Sequence, residues 1–275
     1  MITKKIAIQG IKGSFHDEAT HILFNETIEL VECFTFKDVA KSVVSNKADY
    51  GVMAIENSIA GSILPNYNLL VEYNLEIVDE LYMPINHYVM AKSGQKLNQI
   101  KEVHSHPMAL MQCENYFEDY PKIQMVEVAD TALAAKQIVE HDLENIAAIA
   151  PKRSAKVYGL NILGEKIQTI KNNFTRFFVV QKKENNISDF NKISIKFKVS
   201  HQSGSLAQIL NQIAFRRINM SKIQSVPIIE EPWNYAFFAD LLLDEASEFD
   251  TFLESVHPLV KDIKILGKYQ NKRTS

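Results

Sequence analysis

The stretch Lys5-Ile6-Ala7-Ile8-Gln9-Gly10-Ile11-Lys12-Gly13-Ser14-Phe15 decides how the chain is read. Isoleucines at 6 and 8 make residues 5–9 a short apolar strand. Gly10 and Gly13 then stop it, and Ser14 followed by Asp17 is the capping pattern of a helix, expected over 14–24. Strand, glycine turn and capped helix open an α/β unit. The order continues outward with a strand over 28–33, a helix over 36–45 entered through Thr35 and Asp38, and a strand over 50–55.

A second alternation follows. Strands are expected at 83–91, 103–105, 123–126 and 147–151, and helices at 107–117 and 131–140, with Pro107 in a first helical position where its missing N–H costs nothing. A strand over 175–180 closes this part. The polar run QKKENNISDFN, residues 181–191, has no helical or strand periodicity and reads as a linker. Beyond it Ile193, Ile195, Phe197 and Val199 alternate with polar residues, and Leu206, Ile209, Leu210 and Ile213 share a helical face. Strands at 223–228 and 235–243, a helix at 245–257 and a strand at 261–266 complete a βαββαβ order, the ferredoxin-like α+β arrangement.

Composition narrows the function classes. The 275 residues carry 30 basic and 33 acidic side chains for a net charge of -3, so no excess positive field points to nucleic acid. Cys33 and Cys113 are the two cysteines, without metal or redox spacing, which fits a reducing, cytoplasmic compartment. No stretch has the length of a membrane span or the apolar core of a signal peptide. A small metabolite is the expected partner, with no cofactor, no metal, no nucleic acid and no membrane.

Four segments place small or polar residues at strand ends, where ligands bind in open α/β sheets. In GIKGS, Gly10 to Ser14, backbone amides at a helix start suit an anion, although a plain tight turn also needs glycine. The dinucleotide fingerprint and the Walker lysine are both missing. IENSIAGS follows a strand and offers Asn57, Ser58 and Gly61, either to a ligand or to an ordinary capped turn. HSHPMALMQC carries Ser105, His106 and Gln112; its two histidines lack a third metal ligand, and a helix cap is the simpler role for Ser105 or His106. In NNFTRFF, Thr175 can donate a hydrogen bond and Arg176 can grip a carboxylate, or the arginine is a structural element of a strand entry.

In this order the four segments, G-x-x-G-[ST], IENS-x-x-GS, SHP-x-AL-x-QC and N-x-TRF, resemble the prephenate dehydratase family. Gly204-Ser205-Leu206 and the run to Pro227 resemble an ACT regulatory domain. The resemblance implies a two-lobed catalytic domain like a periplasmic binding protein over 1–181, with lobe 1 from about 1–80 plus 170–181 and lobe 2 from about 81–169. An ACT domain over 192–269 follows. It implies decarboxylating dehydration of prephenate, with Thr175 assisting the departing hydroxyl and His106 as the runner-up proton donor. Gly10, Gly13, Ser14, Asn57, Ser58, Gly61, Ser105, Gln112, Arg176 and Phe177 would bind substrate. An effector, L-phenylalanine by analogy, would meet Gly204, Ser205, Leu206, Gln224, Ser225 and Pro227 in a homodimer or homotetramer. Gln224-Ser225-Val226-Pro227 stands where the family usually has E-S-R-P, which bears on effector identity. An arogenate dehydratase would need a carboxylate poised for the substrate ammonium, and the sequence alone does not place one. No helical segment precedes the first strand, so a fused chorismate mutase is not expected.

Overall fold

The computed structural model describes residues 3–24, 26–184, 189–228, 231 and 234–273. Residues 185–188 of the expected linker lie outside the described residues. The chain divides into two compact units, one of Met1–Asn66 with Leu81–Phe177, the other of Tyr67–Glu80 with Phe178–Ser275.

In the first unit, β1 (Lys4–Gln9), α1 (Phe15–Leu23), β2 (Ile28–Cys33), α2 (Phe36–Val44) and β3 (Tyr50–Asn57) follow the expected order. Ser14 and Thr35 are the N-caps of α1 and α2, accepting from Asp17 N at 3.3 Å and Asp38 N at 3.1 Å. β1 runs parallel to both β2 and β3, so Gly10 and Asn57 stand at the same end of neighbouring strands. A two-residue β4 (Gly61–Ser62) folds back on β3, pairing Asn57 with Gly61. The chain continues through α3 (Leu64–Glu72) and β5 (Leu75–Pro84).

The strand expected over 83–91 is a misreading. The structure has the end of β5, a break at 85–87, and β6 (Tyr88–Ala91), because Pro84 cannot carry a central ladder onward. The second lobe holds β7 (Glu102–Ser105), α4 (Pro107–Phe117), β8 (Gln124–Glu127), α5 (Thr131–Glu140), β9 (Ile146–Ala150), α6 (Lys152–Tyr158) and β10 (Asn161–Gly164). Its sheet runs β10-β6-β9-β7-β8. The sequence reading missed α3 and β5 before this lobe and α6 and β10 within it; α6 and β10 are short, and α6 closes on Gly159 in the left-handed region. β11 (Phe174–Lys182) returns beside β3.

The two crossings between lobes lie side by side, Ile85 N–H donating to Asn173 O at 2.8 Å and Ile167 N–H to His87 O at 2.9 Å. Among the described residues no helix is long and apolar enough to cross a membrane.

The second unit contains β12 (Lys192–Lys198), α7 (Ser205–Phe215), β13 (Asn219–Pro227), β14 (Tyr235–Leu242), α8 (Glu248–Val256) and β15 (Asp262–Tyr269). The sheet order β13-β14-β12-β15 is antiparallel throughout and gives the ferredoxin-like topology. Ile193, Ile195 and Phe197 pack with Ile209, Ile213, Phe249 and Phe252 from the two helices. α8 starts later than the expected 245, since Asp244 N and Glu245 N are bonded instead to the Glu248 carboxylate.

The other face of β12 is not open to solvent. Lys192 and Ser194 are buried, Lys192 Nζ against Glu80 at 2.8 and 3.0 Å, and Ser194 Oγ donating to Asp240 at 2.5 Å. Residues 67–80 reach this face, with Tyr67 on Phe238 and Gly267 opposite Ile77. A Cβ on Gly267 would stand 2.2 Å from Ile77 O, so glycine permits the contact.

Candidate active site

The glycine loop does not cradle an anion. Gly10 N donates to Cys33 O (2.8 Å), Lys12 N to Glu32 Oε1 (2.8 Å), Gly13 N to Asp17 Oδ2 (2.7 Å) and Ser14 N to Ile11 O (3.1 Å). An anion site needs open amides and positive potential, whereas this loop already holds two carboxylates of its own. The expectation that Gly10, Gly13 and Ser14 bind a substrate carboxylate is therefore corrected.

The loop instead joins the lobes. Arg153 of α6 pairs with the fully buried Asp17, Ser154 Oγ donates to Gly13 O at 2.7 Å, and Tyr158 OH donates to Lys12 O at 2.6 Å. Gly13 has φ +89°, and a Cβ there would come within 3.0 Å of the Tyr158 ring and 3.2 Å of Ser154 Cα. Its lack of a side chain is what lets α6 approach.

The segment after β3 is built around one side chain. Asn57 Oδ1 accepts from Ile59 N and Ala60 N, both at 2.9 Å, closing the turn that carries Gly61. Asn57 Nδ2 donates to Asn173 Oδ1 (2.7 Å), Thr175 Oγ1 (3.0 Å) and Phe174 O (3.2 Å). Ser58 fixes the same strand entry, its N donating to Phe174 O at 2.8 Å and its Oγ accepting from Phe174 N at 2.9 Å. Asn57 and Ser58 thus spend their polar groups on β11 rather than on a ligand.

Thr175 is the product of this arrangement. Its hydroxyl oxygen receives the Asn57 amide, and among the described residues no acceptor takes its own proton. A hydroxyl held from behind in this way directs its hydrogen outward.

The network continues into the second lobe. Asn173 Nδ2 donates to Gln112 Oε1 (3.2 Å), which also meets His87 Nε2 at 3.0 Å. With an amide oxygen as partner, Nε2 carries the His87 proton, and burial lowers this imidazole's pKa from its ordinary value. Asn173 and His87 are absent from the sequence-based candidates. Asn173 stood within the quoted NNFTRFF, but only its contacts reveal its place.

Of the SHP turn, Ser105 is corrected as a ligand residue: it is fully buried and donates to Ile149 O at 2.6 Å. His106 caps α4, its Nδ1 accepting from Met108 N at 3.2 Å. Cys113 lies in the core, its thiol pushed up to about 12 by burial. His104 Nε2 lies 2.8 Å from Glu102.

Residues alternate along β11, so Arg176 points away from the Thr175 face. It is buried there with its guanidinium 5.4 Å from the Tyr82 ring centroid, which corrects its expected role at the substrate. Phe177 is also buried and packs edge-on against His16 at 5.2 Å, a core contact in place of the expected substrate contact. His16 Nε2 accepts from Ala54 N at 3.3 Å, and burial pushes this imidazole down to about 4.

In the second unit a cavity of about 350 Å³ is lined by Ser200, His201, Gln202, Ser205, Leu206 and Tyr235, among others, at the start of α7. Gly204, with φ +84°, shapes that turn. Gln224, Ser225 and Pro227 do not line it; they lie on β13, and Pro227 borders a different cavity of about 440 Å³.

A two-lobed α/β unit with an amide-held hydroxyl at a strand entry defines a small-molecule enzyme scaffold. The profile of the prephenate dehydratase family matches residues 6–185. The chain is 34% identical over 280 residues to arogenate dehydratase/prephenate dehydratase 2, chloroplastic, of Arabidopsis thaliana, covering 96% of this chain and 72% of that one. A prephenate dehydratase of Arthrobacter aurescens, solved in complex with L-Phe, superimposes with a TM-score of 0.86 at 25% identity, covering 98% of this chain and 92% of that one. A structure described as GqqA, a novel type of quorum quenching acylase, gives 0.88 at 26% identity, covering 97% of each chain. The chain belongs to the prephenate dehydratase family, a family of hydro-lyases.

Proposed function

We propose that this protein is a prephenate dehydratase, forming phenylpyruvate, carbon dioxide and water on the route to L-phenylalanine. Residues 1–181 are the catalytic domain, in the two lobes set out above, and residues 192–269 are an ACT regulatory domain.

The observation that carries the reading is the pairing of Asn57 with Thr175, which leaves a buried hydroxyl free to donate a hydrogen bond to the departing oxygen. In the reaction the ring carboxylate departs as carbon dioxide, its bonding pair enters the ring, the ring C–O bond breaks, and the leaving hydroxide gains a proton to become water. Thr175 stabilises charge on that oxygen, an interaction stronger in the transition state than in the substrate. Gln112 Nε2, unspent among the described residues, is the companion donor for a substrate oxygen. No protein nucleophile is required. An acylase needs one activated by a neighbouring base, and Thr175 has an amide N–H there instead, which favours the dehydratase.

The cavity at Ser205 and Leu206 suits an amino acid effector, for which L-phenylalanine is the first choice given the ligand of the Arthrobacter structure. In a homodimer or homotetramer, the β13 segment with Gln224, Ser225 and Pro227 would be supplied by a second copy. Two free, buried cysteines suit a cytoplasmic enzyme.

The test is the rise of phenylpyruvate absorbance from prephenate. Thr175→Ala should lose about a hundredfold in kcat, Thr175→Ser should keep most of it, and phenylalanine should change the wild-type rate. Folded wild-type protein without turnover would overturn the reading.

A further inference from the structure

One chain of hydrogen bonds in the first unit has its direction fixed from one end. Asn57 Oδ1 accepts from two backbone amides, Ile59 N and Ala60 N, which can only donate. The other side-chain atom of Asn57 is therefore its amino group, a donor to Thr175 Oγ1 at 3.0 Å and to Asn173 at 2.7 Å. Asn173 must answer with Oδ1, which turns its own Nδ2 toward Gln112 at 3.2 Å. Gln112 must then present Oε1, and the last member, His87, meets the same oxygen through Nε2 at 3.0 Å. An amide oxygen only accepts, so two backbone amides set the tautomer of a histidine four side chains away. Gln112 keeps its Nε2 amino group out of this network, and among the described residues that group has no acceptor.

His87 is held where it can fix Gln112. It is 3% exposed, in the crossing between β5 and β6, with its N donating to Gln168 Oε1 at 3.0 Å and its O accepting from Ile167 N at 2.9 Å. Phe15, the first residue of α1, stands edge to face against the ring with centroids 5.4 Å apart. Nδ1 is buried and has no partner among the described residues. Burial also lowers the pKa of this imidazole, because a second proton would place a charge there. A buried nitrogen without a partner costs stability that an apolar ring would not, so packing alone does not account for a histidine at this position.

We infer that His87 is a positioning residue for the dehydration: its Nε2–H, together with Asn173, holds the Gln112 carboxamide in the one orientation that offers Nε2 to a substrate oxygen. It acts through Gln112 and transfers no proton itself. The inference rests on the dehydratase reading and adds to it a residue from outside the four motif segments.

The experiment measures kcat and KM with prephenate for wild type, His87→Gln, His87→Asn and His87→Phe, and repeats His87→Phe on a Gln112→Ala background. A glutamine can set its amide N–H where histidine has Nε2, whereas the shorter asparagine reaches only the place of Nδ1. His87→Gln should keep kcat/KM within a few-fold, while His87→Asn and His87→Phe should each lose about tenfold. His87→Phe should cost nothing further once Gln112 is alanine, because two residues acting as one unit do not add. Equal losses in the glutamine and asparagine variants, or the same loss with and without Gln112, overturn the inference. Imidazole nitrogen NMR of the wild type, with the His87 signals identified by their absence in His87→Gln, tests it without turnover. The Nε2–H form is expected, and a proton on Nδ1 in its place overturns the inference while leaving the dehydratase reading intact. Folded wild type that shows the expected tautomer but does not turn over prephenate removes the dehydratase reading, and this role with it.

Discussion

The loop after β1 and the loop after β3 look alike in sequence, each a short run of glycine, serine and polar residues at the end of a parallel strand, yet they do different work. The loop at 10–14 spends the amides of Gly10, Lys12, Gly13 and Ser14 on Cys33, Glu32, Asp17 and its own turn, and the carbonyls of Lys12 and Gly13 on α6. The loop at 57–62 spends Asn57 on its own turn and, together with Ser58, on the strand that bears Thr175. Glycine and serine at a strand end therefore do not identify a ligand cradle. What decides is whether donors remain after the protein has satisfied itself, and among the described residues the Thr175 proton and Gln112 Nε2 do.

The largest test strikes both loops together. His16 follows the first loop and touches the second strand system through Ala54 and Phe177. Its folded pKa, about 4, lies below its unfolded value near 6.5. The unfolded chain therefore takes up the proton first as the pH falls. The contribution is fully present above about pH 6.5 and is lost progressively toward pH 4, amounting to about 3 kcal/mol. Urea unfolding across this range should show that loss, and His16→Gln should flatten it.

Asn57→Ala separates the loops through activity. Without the amide behind it, the Thr175 hydroxyl is free to turn, and kcat should drop by about a hundredfold. A steady-state assay with prephenate checks this, and an unaltered kcat would contradict the role given to Asn57. Gly13→Ala should act on stability instead. Its φ of +89° and its nearness to Ser154 and Tyr158 predict a loss of about 2 kcal/mol in denaturant unfolding. The kcat measured well below the transition should hold within a few-fold. Ser58→Ala removes one exposed hydroxyl from the β11 entry and should cost about 1 kcal/mol or less in the same unfolding experiment.

Much of the fold was legible because its signals are local. The caps at Ser14 and Thr35, α4 and α5 to the residue, and the βαββαβ order of the second unit all follow from periodicity and capping within a few residues. Elements without such signals were missed: α6 has no capping side chain, β10 has four residues, and in the α3–β5 stretch the burial along the strand does not alternate. Pro84 was the available sign that the strand over 83–91 was two. The burial of Lys192 and Ser194 has no local signal, because the segment that covers them, 67–80, arrives from more than a hundred residues away.

The candidate site divides along the same line. By itself the sequence determined which residue types stand at the strand ends, and so the family, the candidate hydroxyl at Thr175 and the amide at Asn57. Only the tertiary structure decided which of their atoms stay available. Asn57 and Thr175 are 118 residues apart and Asp17 and Arg153 are 136 apart. A donor consumed by so distant a partner leaves no trace in local pattern, because its hydrogen-bonding capacity is filled only when the chain has folded.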